Sequence, residues 1–217
     1  MQPDEKSARE AIVEAVRFLE EKGLNHGSAG NVSVRFGDGA LITPTGGRSN
    51  WLTADEIVHI SLDGVVRGTG KPSSEWRFHT GILRSRPEAE AVVHTHADCC
   101  VALSCLRKPI PPFHYMIASF GGNEIPCSRY QPFGSPGLAD VALEAIEGHL
   151  ACLLANHGMI AMGRNLQHAL DLTVKLETLA RQYILACQIG EPVLLDEQEL
   201  RDVHSRYGTY GAAAMPR

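Results

Sequence analysis

The amino-acid sequence predicts a single mixed α/β domain whose sheet has substantial antiparallel pairing. Three observations support this fold class. Segments with a helical spacing of apolar residues are interleaved with short apolar runs that end at turn residues. Two tight Asp-Gly turns indicate hairpins, in which neighbouring strands are antiparallel. The length of 217 residues and the hydrophobic content of 44% fit one ordinary globular domain.

The N-terminal half combines a helix, two hairpins and a second helix. Gly23 follows a run of helically spaced apolar residues and is expected to end the first helix. Ser74 is expected to cap the second helix. The predicted elements are a helix over about residues 4–22, a loop over 25–30, strands over 32–36 and 40–43 joined at Asp38-Gly39, a hairpin near Asp63-Gly64, and a helix from Ser74 that ends before Pro87.

The C-terminal half is predicted to alternate strands and helices. Its strands are short apolar runs, and its last helix is the longest periodic segment of the chain. The predicted elements are a strand over 91–94, helices over 101–106 and 138–150, strands over 152–155 and 159–162, and a helix over roughly 166–188.

Composition and charge exclude several classes of protein. A net charge of −5, without clustered Lys and Arg, argues against a nucleic-acid-binding protein. No apolar run reaches the length of about eighteen residues that a membrane span needs, and residues 1–10 are too charged for a signal peptide. The expected location is therefore the cytoplasm. The six cysteines lack Cys-x-x-Cys spacing and are expected to be reduced.

Two histidine motifs, each at the end of an apolar run, predict a transition-metal site. His94-Thr95-His96 follows Ala91-Val92-Val93, and the alternation of side chains along a strand places both imidazoles on one face. The third candidate ligand is His157, and Gly158 after it would let the backbone turn sharply beside a ligand. Three protein ligands with an open position are typical of catalytic zinc.

The alternative is that these histidines are ordinary core or surface residues. The chain has ten histidines, so a single His-x-His pair can arise by chance. The second motif, which also ends an apolar run, favours metal binding over that alternative.

Three short segments are candidates for phosphate binding. Gly30-Asn31 and Thr43–Gly47 are turns rich in glycine or hydroxyl groups, and Ser73-Ser74 begins a helix whose first N–H groups lack intrahelical partners. The same residue types also form turns and caps without a ligand, so both interpretations stay open. Glu75 is equally ambiguous, because an acidic residue at a helix start stabilises the helix, while a carboxylate beside a metal can transfer protons.

Seven motifs, taken together and in order, resemble the class II aldolase/adducin family. Each motif alone is common, but the ordered set is highly specific and extends over roughly residues 5–211. The motifs are Ala29–Ser33, Thr43–Gly46, Pro72–Glu75, His94–His96, His114–Ala118, Gly121–Cys127 and Asn156–Gly158.

The resemblance implies a fold and roles for individual residues. The fold is a single-domain three-layer α/β/α sandwich over residues 1–217, with a central, largely antiparallel mixed sheet. Apart from the resemblance, the Gly and Ala residues of the C-terminus indicate a mobile tail over about residues 205–217. Zinc is held at His94, His96 and His157, and the sequence leaves Mn²⁺ or Co²⁺ open as alternatives. Glu75 is the catalytic acid/base and also ligates the metal when substrate is absent. The positions implied to bind the substrate phosphate are Asn31, Thr45, Gly46, Ser73 and Ser74.

The implied activity is cleavage of L-fuculose 1-phosphate, or a closely related ketose 1-phosphate, to dihydroxyacetone phosphate and a short aldehyde such as L-lactaldehyde. Tyr115 is implied to move the proton on the aldehyde side, from the neighbouring subunit of a C4 homotetramer with active sites at its interfaces. Phe133 and Tyr210 are expected to contact the aldehyde.

Other activities on the same scaffold stay open. They are 3-oxo-tetronate 4-phosphate decarboxylase, 5-deoxyribulose-1-phosphate aldolase, methylthioribulose-1-phosphate dehydratase and ribulose-5-phosphate 4-epimerase. The epimerases carry Asp where this chain has Asn123. An adducin-like binding module would lack the metal set, and the presence of three histidines with Glu75 argues against it.

Overall fold

One seven-stranded sheet forms the centre of the fold. The computed structural model describes residues 4–209, with side chains as far as residue 207. The strands are β1 Asn31–Phe36, β2 Gly39–Ile42, β3 Val58–Ser61, β4 Val66–Arg67, β5 Ala91–Thr95, β6 Ala151–Leu154 and β7 Gly158–Gly163. The strand order is β4-β3-β2-β1-β5-β7-β6, and every pairing between these strands is antiparallel.

Helices cover both faces of the sheet. Side chains alternate along each strand, so Val93 packs into a core with α1, α3 and α5, while its neighbour Val92 packs into a second core with α2 and α4. The helices are α1 Glu5–Glu21, α2 Trp76–Ser85, α3 Asp98–Ser104, α4 Pro136–Ile146, α5 Leu166–Ile189 and α6 Glu197–Thr209, with short 3₁₀ helices at Ala54–Glu56 and Tyr115–Phe120.

The predicted three-layer α/β/α sandwich is confirmed. The sheet is more uniform than the predicted mixed sheet, since the only parallel pairing among the described residues is an isolated bridge between Cys127 and Leu153. Both hairpins are present, although the β1–β2 turn consists of Gly37 and Asp38, one residue earlier than predicted.

Several helix boundaries differ from the prediction. Helix α3 begins three residues earlier than expected, and α4 ends at Ile146, four residues before the predicted end. Helix α6 was not predicted, because its mean hydropathy is low and few of its residues reach the core. It places residues 205–209 in a helix where a tail was expected. Within residues 4–209, no helix is both long and apolar enough to span a membrane.

Candidate metal centre and active site

Three histidines converge where the central strands end. His94 lies in β5, His96 lies just beyond its end, and His157 lies in the turn between β6 and β7. The ring centroids are 4.8–4.9 Å apart in all three pairs. One ring nitrogen of each histidine lies within 4.8 Å of the others, so the cluster could hold a metal ion.

Backbone contacts orient these ligands. Nδ1 of His94 lies 2.9 Å from the carbonyl oxygen of Met159, so it donates its proton there and leaves the lone pair of Nε2 facing the cluster. The backbone N–H of His96 donates to Oδ1 of Asn25 at 3.1 Å. The turn that carries His157 contains Asn156 in the left-handed region, with φ of 53°.

Gly158 serves close packing and not the sharp turn that the sequence suggested. The left-handed residue of that turn is Asn156, and Gly158 is the first residue of β7. A Cβ on Gly158 would lie 2.4 Å from the carbonyl oxygen of Thr95, the residue between His94 and His96. Only glycine therefore lets β7 approach β5 closely enough at this point.

Glu75 completes the donor set. Its side chain is 7% exposed, with Oε2 3.4 Å from Nε2 of His94 and Oε1 3.1 Å from Nε2 of His157. Nδ2 of Asn31 donates to Oε2 at 2.8 Å. Glu75 occupies the N-cap position of α2, but its side chain does not cap the helix. The interpretation of Glu75 as a residue that merely stabilises a helix start is thus disfavoured.

Burial and neighbouring charge set the protonation of the site. Burial would raise the pKa of Glu75, but the attraction of His94 and His157 in their protonated forms and the hydrogen bond from Asn31 outweigh it and hold this pKa well below its ordinary value. Burial lowers the pKa of His94 to about 3 and also lowers the pKa of His96. Neutral imidazoles and an ionised carboxylate are the forms that bind a divalent cation.

The donor set fits a transition metal such as zinc. Nε2 of His94 lies 3.0 Å from Nε2 of His96, and the contacts with Glu75 span 3.1–3.4 Å. Four tetrahedral ligands at about 2.0–2.1 Å from zinc are about 3.3–3.4 Å apart. The contact between Oε1 of Glu75 and His157 lacks hydrogen-bond geometry, which leaves this buried oxygen without a donor among the described residues. Facing lone pairs at these distances repel unless a cation separates them.

A cleft of ≈ 270 Å³ opens above the histidines. This volume is near the lower end of the range of about 300–1,000 Å³ for small-molecule sites. The cleft brings together most of the side chains that the sequence singled out. Those that line it are Asn31, Thr45, Gly46, Ser73, Ser74, Glu75, His96, Phe133 and His157.

The two hydroxyl-bearing loops are held side by side. Pro44 and Pro72 form an isolated antiparallel bridge, and Thr45 N donates to Lys71 O at 3.0 Å. Ser73 N donates to Thr43 O, also at 3.0 Å. The expectation that Ser74 caps α2 is wrong, because the N-cap residue is Glu75, whose backbone N–H donates to Oγ of Ser73 at 3.3 Å. The side chain of Ser74 is instead exposed at the cleft.

The residues predicted on the aldehyde side are more dispersed. Phe133 lines the cleft and is 77% exposed. Tyr115 begins a 3₁₀ helix, is 48% exposed, and does not line the cleft of its own chain as described over residues 4–209. Tyr210 lies outside the described residues.

Three residues that sequence reasoning missed support the ligands. Asn25 binds the backbone of His96, and its side chain lies so close to Gly30 that a Cβ there would clash at 2.3 Å. Glu177 of α5 accepts hydrogen bonds from the backbone N–H groups of Cys99 and Cys100, at the start of α3. The third is His79, which contacts Asn31. None shows a local sequence signal, because each contact joins residues at least 48 positions apart.

Comparisons with known proteins identify the family of the chain. The family described as the Class II Aldolase and Adducin N-terminal domain matches residues 10–184. The chain belongs to this family. It is 51% identical over 207 residues to the 5-methylthioribulose-1-phosphate/5-deoxyribulose-1-phosphate aldolase of Rhodospirillum rubrum, a match that covers 95% of this chain and 94% of the relative.

Two further members of the family are similar over nearly their whole lengths. The L-fuculose phosphate aldolase of Escherichia coli O6:H1 is 46% identical over 207 residues, which cover 95% of this chain and 96% of the relative. A solved structure of an L-fuculose 1-phosphate aldolase has a TM-score of 0.90 and 33% identity, and the match covers 96% of this chain and 98% of that one. These family members are named as aldolases, which are lyases.

Proposed function

We propose that the protein is a zinc-dependent class II aldolase that cleaves a ketose 1-phosphate to dihydroxyacetone phosphate and a short aldehyde. The observation that carries the proposal is the position of Glu75. Its buried carboxylate lies against the His94, His96 and His157 cluster, at the floor of a cleft walled by hydroxyl-bearing loops. A Lewis acid, a proton-transferring group and a phosphate cradle are thereby within reach of one small substrate.

The substrate phosphate is bound by neutral donors. Thr45, Ser73 and Ser74 bring hydroxyl groups to the cleft, and no Lys or Arg is among the described residues that line it. Helix α2 begins beside Ser74 without a side-chain cap, so its N-terminal N–H groups and its dipole favour an anion there. Asn31 also lines the cleft, but its side chain is bound to Glu75 and His79, so its phosphate contact is assigned to the backbone.

The chemistry is the reversible breaking of a carbon–carbon bond. A cation held by His94, His96 and His157 supplies Lewis-acid stabilisation for the charge that develops on substrate oxygens. In the direction of synthesis, the ionised Glu75 takes a proton from C3 of dihydroxyacetone phosphate. In cleavage the same group enters the step as the carboxylic acid, gives its proton to that carbon by microscopic reversibility, and regains a proton from solvent.

Tyr115 of a neighbouring copy moves the proton of the C4 hydroxyl. Its half-exposed side chain lies outside the cleft of its own chain, as expected of a residue that serves another subunit's site. This assignment requires an assembly with closed symmetry, and we propose a C4 homotetramer.

The aldehyde fragment is short and has an apolar end. The ring of Phe133 and the half-exposed ring of Tyr130 stand at the mouth of the cleft, where they can contact a methyl group. L-Fuculose 1-phosphate and 5-deoxyribulose 1-phosphate both meet this requirement. The 51% identity to the Rhodospirillum rubrum aldolase, against 46% for the Escherichia coli one, favours the second as a substrate to test beside the first.

An epimerase is the weaker alternative. At the position where epimerases of the family carry Asp, Oδ1 of Asn123 lies 2.9 Å from Nε2 of His204 in α6. An amide cannot accept a proton as a carboxylate does, so this position lacks the acid–base group that epimerisation would use.

Release of dihydroxyacetone phosphate tests the proposal. The zinc-loaded protein is incubated with each ketose 1-phosphate, and the triose is measured with a coupled reductase. We expect release from at least one of the two substrates, and loss of release after chelation. No triose from either substrate at any metal loading would refute the aldolase assignment.

A subunit-mixing experiment tests the placement of Tyr115. Glu75→Gln and Tyr115→Phe variants are each expected to be nearly inactive. When they are co-assembled in equal amounts, about a quarter of the sites regain both native groups if those groups come from different subunits. A mixture as inactive as its components would show that the two residues act within one chain, and a fully active Tyr115→Phe variant would show that Tyr115 has no role.

A further inference from the structure

A buried chain of hydrogen-bonding side chains leads from the core to Glu75. Nδ2 of Asn31 donates to Oε2 of Glu75 at 2.8 Å, and Oδ1 of Asn31 lies 2.5 Å from Nε2 of His79. Nδ1 of His79 lies 2.8 Å from Oγ of Ser33. His79 and Ser33 have no exposed surface, and Asn31 is 6% exposed. Water is therefore kept away from these contacts.

The charge of Glu75 determines the direction of each hydrogen bond in this series of side chains. A carboxylate only accepts, so Asn31 presents its amide nitrogen to Glu75 and its oxygen to His79. Since an amide oxygen also only accepts, Nε2 of His79 carries the proton. In a neutral imidazole Nδ1 is then the acceptor, and the hydroxyl of Ser33 donates to it.

The fold makes His79 the residue that can hold this amide. His79 lies four positions after Glu75, and this spacing puts the two on one face at the start of α2. Phe78 stacks on its ring, with centroids 4.7 Å apart and planes 25° apart. Asn31 lies opposite His94 in the pairing of β1 with β5. His79 therefore joins α2 to β1 directly beneath the histidine cluster.

We propose that His79 is a positioning residue for the catalytic carboxylate: its Nε2–H holds the Asn31 amide so that Nδ2 faces Glu75. This inference rests on the proposed function, in which Glu75 transfers the proton. If the amide rotated by 180°, an oxygen would face Oε2 of Glu75 and an NH₂ group would face the N–H of His79. The carboxylate would then lose its donor and be repelled from its place.

Two substitutions of His79 separate positioning from packing. His79→Met has a similar volume but removes the donor, whereas His79→Gln keeps an N–H group near the position of Nε2. We expect His79→Met to lower kcat about 10–100-fold, with KM changed less than about twofold because the phosphate is bound by the backbone of Asn31 and by the hydroxyl groups of Thr45, Ser73 and Ser74, not by the Asn31 amide. His79→Gln should recover most of kcat. Equal losses in the two variants, or an unchanged kcat in His79→Met, would overturn the proposal.

His59 provides a matched control. It is also buried, at 7% exposure, but it lies in β3 and its Nε2 has no hydrogen-bond partner among the described residues. His59→Met should leave kcat within about twofold of the wild type. A loss of kcat as large as that of His79→Met would show that both losses arise from disturbed core packing. That result would overturn the positioning role of His79.

The proton position can be measured without any turnover. Solid-state ¹⁵N NMR of histidine-labelled protein, with the spectrum of His79→Gln subtracted, reports which ring nitrogen of His79 is protonated. A proton on Nε2 alone is expected, and a proton on Nδ1 or on both nitrogens would overturn the proposal. If wild type carries the Nε2 proton but cleaves no ketose 1-phosphate, the orientation of Asn31 stands and only the proposed function fails.

Discussion

Replacement of Gly158 by alanine is expected to disable the metal site. A Cβ at this position would lie 2.4 Å from the carbonyl oxygen of Thr95, 3.2 Å from Cε1 of His94 and 3.3 Å from Cδ2 of His96. Carbon and oxygen atoms of adjacent strands normally approach to about 3.3–3.6 Å. Strands β5 and β7 must therefore separate by about 1 Å at the point where two ligands are attached.

The size of the effect follows from this displacement. Ligand distances in a metal site tolerate changes of about 0.2 Å, and a misplacement of about 1 Å at a reacting centre lowers the rate about 100-fold. We expect zinc affinity to fall at least about tenfold, which is about 1.4 kcal/mol. The value of kcat/KM for the cleaved ketose 1-phosphate should fall about 100-fold.

Gly190→Ala is the control for this prediction. Nothing lies within 4 Å of a Cβ at Gly190, and its φ of 175° is an extended conformation open to any residue. Zinc affinity is measured by competition with a chelator, and turnover by release of triose phosphate. The reasoning is refuted if Gly158→Ala binds zinc and turns over as Gly190→Ala does.

Three further predictions concern other parts of the molecule. Glu75→Gln should retain zinc, as measured by metal analysis, yet lose about 10²- to 10⁴-fold in turnover; full activity would remove Glu75 from the mechanism. The exposed thiols of Cys105 and Cys187 should react quickly with a thiol reagent at pH 8, whereas Cys152, whose pKa is raised by burial, should react only after unfolding. Fast labelling of Cys152 in the native protein would contradict the described core. Asn165→Ala removes the side-chain cap of α5 and should lower the free energy of unfolding by about 1 kcal/mol with kcat unchanged; a stability equal to the wild type in denaturant titration would show that the cap contributes nothing.

The convergence of the candidate metal ligands could be predicted because their signal is local. His94 lies in β5 and His96 is the first residue after it, so the two-residue period of the strand predicts their common face. The supporting residues could not be predicted in this way. In the sequence, nothing distinguishes His79 from the other inward-facing residues of α2. Its contact with Asn31 depends on which strand lies beneath the helix.

The same limit explains the error over Gly158. Sequence reasoning assigned glycine the role of a turn, but its real constraint is the distance to Thr95 on a strand more than sixty residues earlier. Helix α6 was missed for a different reason, since a mostly exposed helix carries little apolar periodicity. Features that depend on the pattern within one element could thus be predicted from the sequence. Contacts between elements could be identified only from the folded structure.

The register of the three central strands also has a thermodynamic consequence. His94 is paired with Asn31 on one side and with Ile160 on the other, so the donor cluster exists only when β1, β5 and β7 are all in place. A cation that binds only this arrangement adds its binding free energy to that of folding, by about 4 kcal/mol at a thousandfold excess over Kd. Depletion of the metal would therefore lower the unfolding temperature together with the activity, and it would shorten the lifetime of the folded chain.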